Sequence, residues 1–83
     1  MKTKDITPYN DQDERHGYWE YYYLNGNLWY KGNYVDGKPH GYWEYYWYNG
    51  QLSYKGNYIN GKEHGYWEWY YDNGKLNTKI YYI

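Results

Sequence analysis

Three histidines recur at a constant spacing and are the first residues whose chemistry can be weighed. They are His16, His40 and His64. Imidazoles are frequent metal ligands and general bases. In a sheet of repeated hairpins, equivalent residues lie two strands apart, about 10 Å, whereas the ligands of one zinc ion converge at about 2 Å from it. We therefore expect no metal site and no cofactor, and we predict that these histidines hold loops.

Three glutamates follow the histidines at the same spacing and could act as catalytic carboxylates. They are Glu20, Glu44 and Glu68, and each has a lysine eleven residues later, at Lys31, Lys55 and Lys79. No Ser/His/Asp set or glycine-rich phosphate loop accompanies them, and the chain has no cysteine nucleophile. This pattern favours ion pairs across a hairpin over catalysis. We predict that the protein is not an enzyme.

These residues belong to an internal repeat of 24 residues, which decides the architecture. The units 16–39 and 40–63 are identical at 17 of 24 positions, and the third unit, 64–83, stops four residues short. Residues 1–15 lie outside the period and are expected to form a polar lead-in or cap, in which residues 4–9 could add a short edge strand.

Each unit has the pattern of a β-hairpin. Two runs rich in Tyr and Trp are separated by Asn-Gly at positions 25–26, 49–50 and 73–74, which favours a two-residue type I′ turn. Asp36-Gly37 and Asn60-Gly61 separate one unit from the next. We predict an all-β fold, a single elongated and twisted antiparallel meander of about six strands, over residues 17–24, 27–35, 41–48, 51–59, 65–72 and 75–82.

The strand register follows from a two-residue turn at Asn25-Gly26. Opposite charges then face each other and Trp faces Gly, as cross-strand pairing favours. The predicted pairs of the first unit are Glu20–Lys31, Trp19–Gly32, Tyr21–Tyr30 and Tyr23–Leu28; those of the second are Glu44–Lys55, Trp43–Gly56, Tyr45–Tyr54 and Trp47–Leu52; those of the third are Glu68–Lys79 and Trp67–Ile80. We expect the Trp, Gly, Glu and Lys of these pairs to be structural.

This register divides the side chains between two faces of the sheet. The expected inner, concave face carries Trp19, Tyr21, Tyr23, Leu28, Tyr30 and Tyr34, with the matching residues of later units. The opposite, solvated face carries Tyr18, Glu20, Tyr22, Trp29, Lys31 and Asn33. A single layer cannot bury both faces, so aromatic surface must stay exposed, and contiguous exposed patches mark partner sites.

The composition limits the core and the partners. Eighteen Tyr and six Trp stand beside four Leu, four Ile and one Val, with no Phe or Ala, so the core must be aromatic. Nine Lys and Arg oppose ten Asp and Glu. This balance provides no basic field for direct binding of nucleic acid and no polybasic patch for a membrane.

The repeated residues resemble the MORN repeat, and most closely its variant in antitoxin-like bacterial and viral proteins. The shared pattern is Gly-Tyr-Trp-Glu-x-Tyr-x-x-Asn-Gly-x-Leu, followed by Tyr-Lys-Gly-Asn-Tyr-x-x-Gly-Lys-x-His-Gly, over residues 16–83. The resemblance implies an elongated, twisted antiparallel sheet with one hairpin per repeat. It also implies a scaffold or interaction module, found in some members at membranes and in the variant linked to toxin neutralisation.

Candidate partner-binding residues are aromatic residues on the solvated face and aromatic residues at which the units differ. Trp and Tyr dominate binding hot spots. The first group is Tyr18, Tyr22, Tyr42, Tyr46, Tyr66 and Tyr70, and the second is Trp29, Trp47, Tyr48 and Trp69.

The leading hypothesis for function is a non-enzymatic protein-binding module, namely a small inhibitor from a phage, virus or mobile element. It would block a host toxin, nuclease or defence enzyme by steric docking, in the cytoplasm of a bacterial host or infected cell. Two alternatives stay open, a carbohydrate-binding aromatic repeat protein and a MORN-type scaffold or lipid-associated module. A homodimer through the edge strands is a further expectation, because unpaired edges can add strands.

Overall fold

A computed structural model describes residues 4–83 of the chain. It contains six strands, β1 (Gly17–Tyr22), β2 (Leu28–Val35), β3 (Lys38–Tyr46), β4 (Leu52–Ile59), β5 (Lys62–Tyr70) and β6 (Leu76–Tyr82). They form one antiparallel sheet in the order β1-β2-β3-β4-β5-β6, which confirms the predicted all-β meander. With three units the sheet is about as broad as it is long, with Cα extents of 40 × 38 × 11 Å.

The turns between units are tighter than those within units, which reverses the expectation. Asp36 and Gly37 have φ values of +48° and +84°, as a two-residue type I′ turn requires. Val35 and Lys38, the residues that flank this turn, pair with each other. Strands β3 and β5 therefore begin at Lys38 and Lys62, three residues earlier than predicted.

The Asn-Gly turns inside the units are not of type I′. Tyr23 donates its N–H to the carbonyl of Asn27 at 2.9 Å, and its own carbonyl accepts the N–H of Gly26 at 3.0 Å. Gly26 has φ +90°, whereas Asn25 is not among the residues of positive φ. This geometry matches a three-residue loop made of a type I turn and a glycine bulge. The predicted hairpins are correct, but the predicted turn type is wrong.

A β-bulge follows each of these loops and corrects the predicted faces. Tyr21 pairs with Tyr30 as expected, but Tyr22 rather than Tyr23 pairs with Leu28, so Trp29 is the extra residue. Leu28 therefore shares the face of Tyr22, and Trp29 moves to the face of Tyr21. The second unit repeats the correction, because Tyr46 rather than Trp47 pairs with Leu52.

The pairs nearer the middle of the strands are confirmed. Glu20 pairs with Lys31, Glu44 with Lys55 and Glu68 with Lys79. Trp19 pairs with Gly32, Trp43 with Gly56 and Trp67 with Ile80. The bulge leaves them in place because it lies between them and the loop.

The core consists of three tryptophans, Trp19, Trp43 and Trp67, which are at most 2% exposed. The indole that covers Gly32 is that of Trp43 in the next unit, not that of its backbone partner Trp19, and Trp67 covers Gly56 in the same way. A register shift between β2 and β3 allows this contact, because the residues between His40 and Glu44 oppose Gly32 alone. The Trp–Gly contact therefore joins successive units.

The N-terminal segment packs against β1, the first strand of the sheet. Ile6 and Glu20 exchange two backbone hydrogen bonds, of 2.9 and 3.0 Å. The indole N–H of Trp19 donates to the carbonyl of Pro8 at 2.9 Å. The predicted lead-in spans residues 1–15, of which residues 1–3 lie outside the described part of the chain.

Candidate functional site

One face of the sheet is organised around three glutamates, and we call it the tyrosine–glutamate face. It carries Tyr18, Glu20, Tyr22 and Lys31 of the first unit and the equivalent residues of the others. Tyr18 and Tyr22 donate their hydroxyl protons to the two carboxylate oxygens of Glu20 at 2.6 and 2.7 Å. The second unit repeats this arrangement at Glu44, at 2.7 and 2.6 Å. The carboxylates of Glu20 and Glu44 are thus each held between two tyrosines of their own strand. That of Glu68 accepts a hydroxyl bond from Tyr70 at 2.6 Å.

The lysines of this face join neighbouring units. The Lys31 ammonium lies 3.3 Å from the carboxylate of Glu44, and that of Lys55 lies 3.5 Å from Glu68. The register alone predicts Glu20 and Glu44 as their partners. Each of these lysines pairs through its backbone with a glutamate on both neighbouring strands. Its ammonium forms the ion pair with the glutamate of the following strand. In the last hairpin, Lys79 pairs with Glu68 at 3.4 Å as predicted.

The hydrogen bonds keep the glutamates ionised and the tyrosines neutral. Hydroxyl donation from Tyr18 and Tyr22 lowers the pKa of Glu20. Burial opposes this effect at Glu44, yet hydrogen bonds from Tyr46, Tyr42 and Lys31 still lower its pKa. Burial and then the bond to Glu44 raise the pKa of Tyr46 to about 12. The face therefore presents a fixed pattern of charge near neutral pH.

Three tyrosines of this face form an exposed row across the strands. Tyr18 is 41% exposed, Tyr42 is 47% and Tyr66 is 62%. They stand on alternate strands, and two strand spacings amount to about 10 Å. Tyr66 differs from the others in that the Lys79 ammonium lies 4.7 Å from its ring centroid and Tyr81 packs at 4.8 Å.

The opposite face, which we call the tryptophan face, is a continuous aromatic layer. Tyrosines alternate with the three core tryptophans in edge-to-face contacts, with centroids 4.9 to 6.4 Å apart. The order across the sheet is Tyr9, Trp19, Tyr34, Trp43, Tyr58, Trp67 and Tyr82. Such contacts stabilise aromatic pairs beyond the area they bury. This layer supplies the core that a single sheet otherwise lacks.

The predicted partner-binding residues divide between the two faces and do not form one site. Tyr22, Tyr46 and Tyr70 are half-buried and bound to glutamates through their hydroxyls. Trp29 stacks on Tyr23 at 5.1 Å, and Trp69 lies 6.1 Å from Trp67, so both belong to the tryptophan face. Trp47 and Tyr48 lie at the loop end of the sheet.

A family model for the MORN repeat variant matches the chain at residues 15–36, 39–60 and 63–83. These three matches cover most of the chain and follow the period of 24 residues. The chain belongs to the MORN repeat variant family. No curated protein and no solved structure matches it significantly. Membership in this family indicates a binding or scaffold module, because MORN repeats are generally non-catalytic.

The Asn-Gly loops of the MORN units contain contacts that the sequence analysis missed. The side chain of Asn49 accepts the N–H of Gln51 at 2.9 Å and donates to the carbonyl of Asp72 in the next loop at 2.9 Å. Asn25 makes the same two kinds of contact, with Asn27 and Tyr48. An asparagine recurs at this loop position in every unit, and these hydrogen bonds could have been predicted from it.

The histidines of the MORN units hold the turns between units. Nδ1 of His16 accepts the N–H of Asp36 at 3.2 Å, and Nδ1 of His40 accepts the N–H of Asn60 at 3.4 Å. This confirms the predicted loop role for both. No cluster of three His, Cys, Asp or Glu suited to a metal occurs in residues 4–83. Nor does this part of the chain contain a helix long and apolar enough to cross a membrane.

Proposed function

We propose that this MORN protein is a non-enzymatic protein-binding module that docks through its tyrosine–glutamate face. The observation that carries the proposal is the exposed row of Tyr18, Tyr42 and Tyr66 on a face that the single-layer sheet leaves uncovered. Rigid aromatic side chains in a row give contact area at low entropic cost, as in other Tyr-rich binding surfaces.

The hydrogen bonds of this face define what the partner should offer. The hydroxyls of Tyr18 and Tyr42 already donate to Glu20 and Glu44, so their oxygen lone pairs remain available as acceptors. The partner should therefore present N–H donors, such as Arg, Lys or free backbone amides, between flat apolar surfaces.

Within this proposal, the narrower role is inhibition. A chain of this size, carried by a phage, virus or mobile element, would cover the active site or nucleic-acid groove of a host toxin, nuclease or defence enzyme in the cytoplasm. The second candidate is a MORN-type scaffold, which the repeat family supports at least as well. Sugar binding has less support, since Trp29 and Trp43 have ring faces occupied by Tyr23 and Gly32.

The test compares the wild-type chain with two triple variants. One replaces the exposed row, Tyr18→Ser, Tyr42→Ser and Tyr66→Ser. The control replaces exposed residues at the loops and the C-terminus, Leu24→Ser, Tyr71→Ser and Ile83→Ser. A stoichiometric partner captured from host lysate is purified, and its affinity for each chain is measured directly. We expect binding by wild type and control and loss in the row variant; equal binding by all three would refute the proposal.

The same partner then distinguishes the two roles. If the purified chain lowers the partner's enzymatic activity in proportion to its occupancy, the role is inhibition. If activity is unchanged while the chain holds the partner to a further protein, the role is that of a scaffold.

A further inference from the structure

The edge of the sheet at β1 has the contacts of a strand-acceptor site. Within the sheet, each core tryptophan donates its indole N–H to the strand before it: Trp43 to the carbonyl of Asn33 at 3.1 Å, and Trp67 to that of Asn57 at 3.0 Å. Trp19 has no preceding unit. Its indole nevertheless donates at 2.9 Å to a carbonyl in the same place, that of Pro8.

The N-terminal segment thus occupies the position of a preceding strand. Ile6 pairs with Glu20 as Lys31 pairs with Glu44. Tyr9 packs edge-to-face on Trp19 at 5.4 Å, just as Tyr34 packs on Trp43 at 4.9 Å. Because Pro8 takes the place of Asn33 and Ile6 that of Lys31, Thr7 takes the place of Gly32.

The segment is an imperfect occupant of this position. Glycine is required at the equivalent place inside the sheet, because a Cβ on Gly32 would lie 2.2 Å from the ring of Trp43. Thr7 brings a Cβ to that place, and Pro8 has no N–H to donate. Elsewhere the segment follows the register of a preceding strand, because Ile6 pairs with Glu20 and Tyr9 with Arg15. The Pro8 carbonyl also accepts the N–H of His16 at 3.1 Å. A strand with glycine in place of Thr7 would let the ring of Trp19 lie directly against its backbone.

We propose that the β1 edge accepts an extended segment of the type Lys-Gly-Asn-Tyr, which adds as a strand and displaces residues 4–9. Its glycine lies over Trp19, and the carbonyl of the next residue accepts the indole N–H. Its tyrosine packs on the ring of Trp19, and its lysine lies beside Glu20, as Lys31 lies 3.3 Å from Glu44. Strand addition of this kind takes affinity from the backbone and specificity from alternate side chains.

A second copy of this chain cannot supply the strand through its free edge, β6, because β6 lacks the glycine that the site requires. In β6 the residue at the glycine position is Ile80, the backbone partner of Trp67. A side chain of that size cannot lie under another copy's Trp19 in the geometry of Gly32 and Trp43. The proposed ligand is therefore a segment of another protein. Its site lies at the edge of the sheet and shares Glu20 with the tyrosine–glutamate face.

The test uses the full chain and two synthetic peptides. One has the sequence of residues 28–35, and its control differs only by Gly32→Ala. Binding is measured by calorimetry and by the NMR resonance of the Trp19 indole N–H, whose acceptor should change. We expect saturable binding of the first peptide, with a shift of that resonance, and at least about tenfold weaker binding of the control.

A protein variant tests displacement separately. Ile6→Pro removes the N–H that bonds to Glu20, which should release the segment and tighten binding of the peptide about tenfold. A variant with Tyr42→Ser and Tyr66→Ser keeps the hydrogen bond between Tyr18 and Glu20 and should bind the peptide like wild type, so the two proposals can fail independently. Equal binding of both peptides, or binding that leaves the Trp19 indole unchanged, would overturn the strand-acceptor site.

Discussion

The indole of Trp43 lies against the backbone of Gly32, so closely that a Cβ on Gly32 would lie 2.2 Å from its ring atoms. The two residues belong to different repeat units, and the contact buries Trp43 completely. It therefore links the stability of one unit to that of the next, as expected for a repeat array.

Replacing this glycine should destabilise the protein through overpacking. We expect Gly32→Ala to lower the free energy of unfolding by about 1–3 kcal/mol, because a rigid ring cannot move aside cheaply. Urea unfolding would measure it. The control is the same substitution in a Trp43→Leu background, where it should cost less than about 0.5 kcal/mol. Equal costs in the two backgrounds would show that the ring is not the cause.

The loop asparagines offer a comparison between an inner and a terminal unit. Asn49 and Asn73 each accept a backbone N–H inside their own loop, but only Asn49 also donates to the next loop, at the carbonyl of Asp72. We expect Asn49→Ala to destabilise the protein by about 1 kcal/mol more than Asn73→Ala. Thermal or urea unfolding of both variants would measure the difference. Equal losses would mean that the inter-loop bond contributes nothing.

Acidification should lower the stability of the folded state by protonating the glutamates. The pKa values of Glu20, Glu44 and Glu68 are lowered in the folded state, against about 4.3 in an unfolded chain. Their contribution is therefore present above about pH 4.3 and is lost as the pH falls through the lower folded values. We expect the urea midpoint to fall in that window. Tyr42→Phe with Tyr46→Phe, which removes two donors to Glu44, should flatten the dependence; an unchanged slope would contradict this account.

Alkaline pH should lower the stability of the folded state by ionising the tyrosines. Their pKa values are raised by burial or, for Tyr22 and Tyr70 first of all, by hydrogen bonds to glutamates. The group comprises Tyr18, Tyr22, Tyr23, Tyr30, Tyr42, Tyr45, Tyr46, Tyr54, Tyr58 and Tyr70. Their contribution is complete below about pH 10, the unfolded value, and is lost as the pH rises through the folded values.

Ultraviolet absorbance of tyrosinate would follow this transition. We expect most tyrosines of the folded protein to ionise above pH 10, in a step that coincides with loss of β-structure by circular dichroism. In urea the same groups should titrate near pH 10. Identical titration curves in the two conditions would contradict the hydrogen-bonded and half-buried environments of these side chains.

The strands and most of their register could be predicted from the sequence, because side chains alternate strictly along a strand. Once Glu20 is placed opposite Lys31, a shift by one residue would reverse both faces. The Asn-Gly pairs predicted the hairpins correctly but not their turn type. An Asn-Gly pair fits a two-residue type I′ turn and also the end of a type I turn with a glycine bulge. The extra loop residue and the bulge at Trp29 then exchanged the faces of Trp29 and Leu28.

The side-chain contacts between units could not be predicted from the strand register alone. Lys31 has Glu20 and Glu44 on neighbouring strands, and only the orientation of the side chains in space selects Glu44. The same holds for Gly32, whose backbone partner is Trp19 but whose covering ring belongs to Trp43. Side-chain directions depend on the twist and on the register shift at Gly32, which are properties of the whole sheet.

The amino-acid sequence by itself determined the period, the number of strands, their order and the residues that form the core, since these follow from local patterns that repeat every 24 residues. The tertiary structure alone decided which unit completes each contact and that Trp29 lies on the face opposite Tyr18. It also decided between the lead-in and the edge strand that the sequence left open for residues 4–9. The physical reason is that a repeat pattern specifies the interactions of a unit with an identical neighbour. The first unit has no such neighbour before it. The packing of the N-terminal segment against β1 depends on contacts that the repeat pattern does not specify.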